Sequence, residues 1–306
     1  MVTIKNLQKS YGKFKVLDGL DMNVPDGEVY GFLGKNGCGK STTMNILCNI
    51  IPKDGGDVLL GDESNQQQKI KIGYLPETPS MFTYMNGYEY LRYIAACCRY
   101  EDNVEQRIGE VLDIVGMTEG GKRRIKGYSR GMNQRLGIAS IIFDKPQLLV
   151  LDEPTSALDP EGRADVMRII RQLSDMGSTI ILCTHILSDV EKVAGSIGIL
   201  VNGKMSVEGK IADVEKQYSR PEVELKLYDT DQRAVETIKA LEEREIIDKV
   251  DFYERTGVFV LRTPEPKAAT EILTNTLAQN SLVPMECKTV TESLEEIYLK
   301  VVNGNA

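Results

Sequence analysis

One glycine-rich stretch decides the fold of this chain: Gly34-Lys35-Asn36-Gly37-Cys38-Gly39-Lys40-Ser41-Thr42. It fits the pattern G-x-x-x-x-G-K-[ST], and it lies between an apolar run typical of a strand (residues 29–33) and a helical pattern (residues 43–47). Glycines lack a Cβ atom, so the backbone can turn tightly and direct its N–H groups at phosphate oxygens. The positive end of the helix dipole adds to this attraction. The stretch therefore predicts a phosphate-binding loop in which Lys40 reaches the β- and γ-phosphates and the Ser41 hydroxyl ligates Mg²⁺.

Two adjacent carboxylates follow a second apolar run. Leu148–Leu151 is uniformly apolar, as a strand buried on both faces of a parallel sheet must be, and Asp152 and Glu153 come directly after it. Two carboxylates at the end of a buried strand cost free energy, so we expect them to have a function. We expect Asp152 to hold Mg²⁺ through water and Glu153 to polarise an attacking water. The only histidine, His185, ends a β-branched strand (residues 178–184), where we expect it to contact the γ-phosphate.

Two further motifs leave alternatives open. Tyr11 precedes the phosphate loop and could stack on a purine base, but a tyrosine in such a place, taken alone, is more often a half-buried turn residue. Ser129, with Gly131, opens a helical pattern, as an N-cap does. That N-terminus is either a second phosphate site or an ordinary cap.

Composition limits the class of protein. The 306 residues are enough for two domains, and no apolar run approaches the roughly 18–20 residues of a membrane span. The first residues lack the apolar core of a signal peptide, and the six cysteines have neither metal-site nor disulfide spacing, so we expect a cytoplasmic protein. The net charge of −8 argues against a general nucleic-acid binder. The basic run Lys122–Lys126 is either a solvated face or a binding patch.

Over about residues 1–217 the chain resembles the nucleotide-binding subunits of ATP-binding cassette (ABC) transporters. Gly34–Thr42 is similar to the Walker A loop and Leu148–Asp152 to the Walker B strand, with Glu153 at the catalytic carboxylate. Residues 156–159 match the D-loop and residues 128–132 the signature. The single positions that match are His185 for the switch histidine, Tyr11 for the adenine-stacking aromatic and Glu77 for the Q-loop.

The resemblance implies a set of roles. ATP would be bound by Tyr11, by Gly34–Thr42, and by Ser129, Gly131 and Asp159. Mg²⁺ would be held by Ser41, Asp152 and Glu77, and catalysis would fall to Glu153 and His185. Two positions depart from the family pattern. The signature is usually Leu-Ser-Gly-Gly-Gln, of which this chain keeps Ser129 and Gly131, and Glu77 stands where glutamine is commoner. Both departures resemble the exporter branch whose ATPase and membrane subunits are separate chains.

The expected fold is α/β. Residues 1–217 would form a P-loop NTPase cassette, with a mixed or parallel sheet and a helical subdomain at about 86–145. Residues 218–306 would form a small α+β domain, because their pattern β-α-β-β-α-β is that of a ferredoxin-like sandwich. We expect Glu222–Leu227 to be an edge-type strand with one solvated face, and Ser293 with Glu296 to form a capping box on the last helix. This domain would either reinforce a dimer or pack on the cassette, or else hold a regulatory ligand.

The function implied by the resemblance is ATP hydrolysis that powers export. ATP would lie between two cassettes, and the homodimer would act on multispanning permease subunits at the cytoplasmic face of the membrane. No nucleic acid is expected. The alternative is a soluble cassette ATPase that acts on ribosomes or DNA, although this chain has one set of motifs and no long coiled coil between residues 42 and 128. A nucleotide-gated protein without turnover conflicts with Lys40, Asp152, Glu153 and His185.

Overall fold

The computed structural model describes residues 1–61, 70–218, 221–290 and 293–303. The chain divides into two compact units, Met1–Ile211 and Ala212–Ala306. The sequence predicts the boundary at about residue 217, slightly after this division. A helix over residues 211–218 includes both positions. None of the helices in the described ranges is long and apolar enough to cross a membrane.

The first unit contains both strands and helices. Its strands are β1 (Val2–Tyr11), β2 (Phe14–Val24), β3 (Val29–Gly34), β4 (Gly55–Leu60), β5 (Ile72–Leu75), β6 (Leu148–Asp152), β7 (Thr179–Thr184), β8 (Ser196–Val201) and β9 (Lys204–Lys210). Its helices are α1 (Lys40–Leu47), α2 (Gly87–Cys98), α3 (Val104–Ile114), α4 (Arg130–Ile142), α5 (Pro160–Asp175) and α6 (Leu187–Val193). Helix α7 (Ile211–Tyr218) spans the division between the units.

A six-stranded sheet positions the site. Its order is β5-β6-β7-β3-β8-β9, with parallel pairing throughout except for the antiparallel pair of β8 and β9. Every residue of β3, β6 and β7 is buried, as predicted for strands covered on both faces. Because these three strands are neighbours and run in the same direction, their carboxyl ends meet at one edge, where open α/β sheets bind their ligands.

Two smaller assemblies complete this unit. Strands β2, β1 and β4 form an antiparallel sheet, in which β1 and β2 make one long hairpin. Helices α2, α3 and α4 lie in the stretch expected to be helical. Asn86 and Glu89 form a capping box that opens α2, and Ile108, Val111 and Leu112 bury the apolar face of α3.

The second unit has the predicted ferredoxin-like topology. After α7 come β10 (Glu222–Leu227), α8 (Gln232–Lys239), β11 (Lys249–Tyr253), β12 (Val258–Arg262), α9 (Pro266–Gln279), β13 (Pro284–Val290) and α10 (Leu294–Asn303). The sheet order is β11-β12-β10-β13, with antiparallel neighbours, so that each β-α-β pair is split by another strand. The capping box of α10 is confirmed, since Ser293 N donates to Glu296 at 2.9 Å and Glu296 N donates to the Ser293 hydroxyl at 3.3 Å.

The prediction that Glu222–Leu227 is an edge strand is wrong. This strand, β10, lies inside the sheet, between β12 and β13. Its alternate residues Val223, Leu225 and Leu227 are buried in the core of the unit, together with apolar residues of α8 and α9. The alternation therefore reflects burial on one face and carries no information about strand neighbours. The edge strands are β11 and β13, and β13 is exposed at nearly every position.

Candidate functional site

The predicted phosphate loop connects β3 to α1. Gly39, the residue before α1, has φ 115°, and a Cβ atom built on it would lie 2.7 Å from Cδ2 of Leu17. Only glycine fits both this conformation and this close approach. The buried Lys40 side chain turns back on the loop, where its ammonium group donates to Gly34 O at 2.6 Å and to Lys35 O at 3.4 Å. The loop thus combines a helix N-terminus with a cation, which is the arrangement of an anion site.

A cavity of about 240 Å³ opens beside this loop. It is lined by Val16, Asn36, Gly37, Gly39, Lys40, Ser41, Thr42, Glu77, Asp152 and Glu153. The structure therefore brings most of the predicted phosphate and metal residues together, from β6, the phosphate loop and the stretch after β5. The lining holds one cation and three carboxylates. Val16 also lines the cavity, and sequence reasoning did not predict it.

Asp152 is buried in the wall of the cavity. Burial raises its pKa, and Glu153 and Glu77 raise it further, while a hydrogen bond from Ser41 and the charge of Lys40 oppose the shift. Its Oδ1 atom is buried and has no hydrogen-bond partner among the described residues. A buried oxygen without a partner is costly, and a ligated cation would satisfy it. Asp152 and the Ser41 hydroxyl therefore fit the donor chemistry of a Mg²⁺ site.

The described residues contain no cluster of three His, Cys, Asp or Glu side chains that could hold a metal ion alone.

Glu153 is held by the segment that follows β7. Its Oε1 lies 2.9 Å from His185 Nδ1, and its Oε2 accepts a hydrogen bond from the Thr184 hydroxyl at 3.2 Å. Glu153 has φ 48°, a left-handed conformation that is rare for a residue with a side chain, and its N–H donates to Cys183 O at 2.8 Å. Such strained residues concentrate at functional sites. The sequence places Glu153 and His185 at neighbouring strand ends, and the structure brings their side chains into contact.

Thr184 is a site residue that sequence reasoning missed. Its hydroxyl donates to Glu153 and also accepts a hydrogen bond from Ile186 N at 3.1 Å. The available signal was a hydroxyl residue at the last position of a strand, beside a histidine. That signal is weak on its own, because threonine is common in strands for reasons of propensity.

The remaining predicted residues lie outside the lining of this cavity. Ser129 caps α4, its hydroxyl accepting from Met132 N at 3.2 Å, and Asp159 caps α5 by accepting from Gly162 N at 3.0 Å. A Cβ atom built on Gly131 would lie 3.8 Å from Gly162 Cα, so the N-termini of α4 and α5 are close together. The capping prediction for Ser129 is therefore confirmed.

The lining of the cavity also does not include Tyr11, Lys35 or Cys38. Tyr11 is 53% exposed at the end of β1, and the Lys9 ammonium group lies 5.6 Å from the centre of its ring. Lys35 contributes its carbonyl group to the loop, and burial raises the pKa of the Cys38 thiol. The Cys38 side chain packs against the core of the unit, so it acts as a small apolar residue here.

Comparison with known proteins identifies the family. The ABC transporter family matches residues 17–156, which include the phosphate loop and both carboxylates. An uncharacterized ABC transporter ATP-binding protein of Bacillus subtilis (strain 168) is 32% identical over 99% of this chain and 100% of its own length. A bacitracin transport ATP-binding protein of Enterococcus faecalis is 31% identical over 99% of this chain and 97% of its own.

Two further similarities cover mainly the first unit. A lantibiotic transport ATP-binding protein of Streptococcus pyogenes is 39% identical over 68% of this chain and 90% of its own length. The solved structure of an ATP binding subunit of an ABC transporter superposes with a TM-score of 0.63 at 26% identity, and covers 71% of this chain and 93% of that one. These relatives are transport proteins, which favours the transporter interpretation over a cassette ATPase acting on ribosomes or DNA. Over its whole length this chain belongs to the ATP-binding subunits of ABC transporters, which are ATPases.

Proposed function

We propose that this chain hydrolyses ATP with Mg²⁺ in a pair of cassettes and thereby powers export through a separate membrane permease. One observation carries the proposal: Lys40, Asp152 and Glu153 line a single cavity beside a glycine loop at the carboxyl edge of a parallel sheet. The relatives that are named for bacitracin and lantibiotic transport support export as the process that is powered.

The charges of the cavity support Mg²⁺ as the partner of ATP. Lys40 faces three carboxylates there, so the lining is negative before a triphosphate enters. A divalent cation held by Asp152 and Ser41, with Glu77 nearby, would neutralise this repulsion and the charge that develops on the phosphates during transfer. We expect Lys40 and the N–H groups of the loop to bind the phosphates, because these are the positive groups of the lining.

Glu153 is proposed to be the general base. Its carboxylate has its two oxygens fixed by His185 and Thr184, so it is oriented before substrate arrives. Because a carboxylate only accepts hydrogen bonds, the ring of His185 donates from Nδ1, and Nε2 remains for a second partner. We propose that this partner is the γ-phosphate, while Glu153 accepts a proton from the attacking water.

A second cassette would complete the site. Ser129, Gly131 and Asp159 lie outside the cavity of their own chain, although the family resemblance assigns them to ATP. In a dimer with two-fold symmetry, each chain would offer its Ser129 and Gly131 to the ATP bound by its partner. We propose a homodimer, which binds ATP between its subunits and would place Tyr11 against the adenine.

We further propose that the chain is peripheral at the cytoplasmic face of the membrane, attached through its permease. The first unit, to about residue 217, would carry the ATPase, and the ferredoxin-like unit would be accessory to it. Reinforcement of the dimer is the simpler role for this second unit, and binding of a regulatory ligand is the alternative.

Affinity capture tests the proposal. Tagged Glu153→Gln protein would be recovered with ATP and Mg²⁺ from cells solubilised in detergent, and the proteins that accompany it would be identified. Glu101→Gln is the matched control, because Glu101 is an exposed carboxylate in the loop between α2 and α3. We expect a stoichiometric multispanning membrane protein with Glu153→Gln. Recovery of ribosomes or DNA, without a membrane protein, would overturn the transport proposal and leave the ATPase chemistry intact.

A further inference from the structure

A second buried carboxylate lies close to the site but outside its cavity. Asp189 belongs to α6, four residues after His185, and its side chain is fully buried. Its Oδ2 accepts a hydrogen bond from the Thr155 hydroxyl at 2.7 Å, and its Oδ1 accepts from Arg163 Nε at 2.8 Å. A buried carboxylate is strongly unfavourable unless it is paired and hydrogen-bonded, and here both oxygens have partners.

Both partners come from the stretch that leads from β6 into α5 and follows the proposed base Glu153. Thr155 lies two residues after Glu153, in the loop that follows β6, and Arg163 belongs to the first turn of α5 that this loop enters. Arg163 also donates to the Ser188 hydroxyl at 2.8 Å, beside Asp189 on α6. Asp189 therefore ties the loop after β6 to the segment after β7 through one hydrogen bond and one ion pair.

The same two segments meet a second time at the site itself. There the contacts of Glu153 with His185 and Thr184 join the end of β6 to the end of β7. The imidazole ring of His185 is about half exposed, and among the described residues Glu153 is its hydrogen-bond partner. Little packing fixes the ring, so its position depends on the course of the backbone from Thr184 to Asp189. One end of that stretch is fixed by Thr184, and the other by Asp189.

We propose that Asp189 is a positioning residue for hydrolysis: through Thr155 and Arg163 it sets the spacing of the two loops, and so keeps His185 at 2.9 Å from Glu153. The inference rests on the proposed function, since it takes Glu153 and His185 to act on ATP. It predicts that breaking the link misplaces His185 and slows the chemical step, while the phosphate loop keeps its affinity for ATP. A misplacement of about 1 Å can lower a rate by about a hundredfold.

The chain offers an unusually direct probe, because His185 is its only histidine. In protein labelled with ¹³C and ¹⁵N at histidine, with the purification tag removed, one set of ring signals reports the surroundings of His185 alone. Thr155→Val removes the hydroxyl at nearly constant volume, Thr155→Ser keeps it, and Asp189→Asn removes the charge that pairs with Arg163. Asp165→Asn is the matched control, since Asp165 is a partly exposed carboxylate on the same helix as Arg163 and makes an ion pair with Arg135 at 3.4 Å.

We expect the ring signals to shift or broaden in Thr155→Val and Asp189→Asn, and to stay as in the wild type in Thr155→Ser and Asp165→Asn. The same two variants should lose about tenfold to a hundredfold in kcat for ATP, with KM changed by less than about twofold. Thermal unfolding is measured in parallel, so that turnover is compared for folded protein. If Asp189→Asn fails to fold, the pair Thr155→Val and Thr155→Ser still decides the question.

Three outcomes are distinct. Shifted ring signals with reduced kcat support the positioning role. Unchanged ring signals and unchanged kcat, together with a lower melting temperature, would show that Asp189 only stabilises the fold and would overturn the inference. Failure of the proposed function has another signature: Glu153→Gln would hydrolyse ATP at the wild-type rate, whatever the ring signals of the Asp189 and Thr155 variants show.

Discussion

Substitution of Glu153 by glutamine is the sharpest test of the proposed chemistry. The carboxylate is nearly buried and has both oxygens engaged, one by His185 at 2.9 Å and the other by Thr184 at 3.2 Å. Glutamine has almost the same shape and can keep an accepting oxygen for Thr184. The substitution therefore removes the negative charge and the capacity to take a proton, and leaves the packing in place.

The expected loss follows from the role of the residue. Removing a general base lowers a rate by about 10²–10⁴, which corresponds to about 2.7–5.4 kcal/mol at 1.36 kcal/mol for each factor of ten. Affinity for ATP should be retained, because the positive groups of the cavity are Lys40 and the loop. Glu153 also raises the pKa of Asp152, so the glutamine variant moves that pKa towards its ordinary value and favours the anionic form. Binding of Mg²⁺ with ATP should then be equal or tighter.

Three measurements check this expectation. Phosphate release gives kcat, titration with a fluorescent ATP analogue gives affinity, and gel filtration with ATP and Mg²⁺ shows whether the stalled protein accumulates as a dimer. Glu101→Gln is carried through the same assays and should behave as the wild type. A Glu153→Gln protein with wild-type kcat would refute the assignment of the base. Loss of ATP binding together with turnover would instead show that Glu153 organises the phosphate site.

The other predictions concern the loop, the metal residue and the dimer. Lys40→Ala should weaken ATP affinity by about tenfold to a hundredfold, since a charged hydrogen bond contributes about 1.5–3 kcal/mol, and the same titration measures it. Gly39→Ala should lower the melting temperature more than Gly12→Ala, because both residues have positive φ but only Gly39 would press a Cβ atom against Leu17. Asp152→Asn should raise the melting temperature of the nucleotide-free protein near pH 7. Its burial-raised pKa means that the ionised form costs stability above that pKa, so the gain should shrink as the pH falls through it in a pH series of thermal melts. Finally, ATPase activity per chain should rise with protein concentration over the range in which light scattering shows dimers forming, and a constant specific activity of monomers would contradict the shared site.

Much of the candidate site was predictable from the sequence. Lys40, Asp152 and His185 follow apolar strands, and the carboxyl ends of parallel strands meet at one edge, so sequence patterns alone predict that they lie near one another. Sequence patterns do not predict which side chains contact each other. Thr184 and Asp189 contact side chains that lie 26 to 34 residues away in the chain, and no local periodicity marks such a pair.

The fold shows the same limit. The order of helices and strands in the second unit was predictable, because hydrophobic periodicity reports which face of each element is buried. The neighbours of a strand are a separate matter. Val223, Leu225 and Leu227 alternate in a strand inside the sheet, while β13, whose sequence also alternates through Met285 and Cys287, is an exposed edge. Alternation therefore occurs both in a strand buried on one face inside the sheet and in an exposed edge strand, and the pairing with distant strands decides between them.

The geometry also separates binding from turnover within one chain. Lys40 and the loop N–H groups, which we expect to bind the phosphates, belong to one continuous segment, Gly34–Thr42, and Lys40 is held within it by Gly34 O and Lys35 O. The groups proposed for hydrolysis lie on two loops that are linked by side-chain contacts, Glu153 to His185 at the site and Thr155 to Asp189 behind it. Small changes in loop spacing therefore alter the second set and leave the first intact. A cassette built in this way can hold ATP while hydrolysis waits for the loops to be correctly placed, which is the order of events that a transport cycle driven by binding and then by hydrolysis requires.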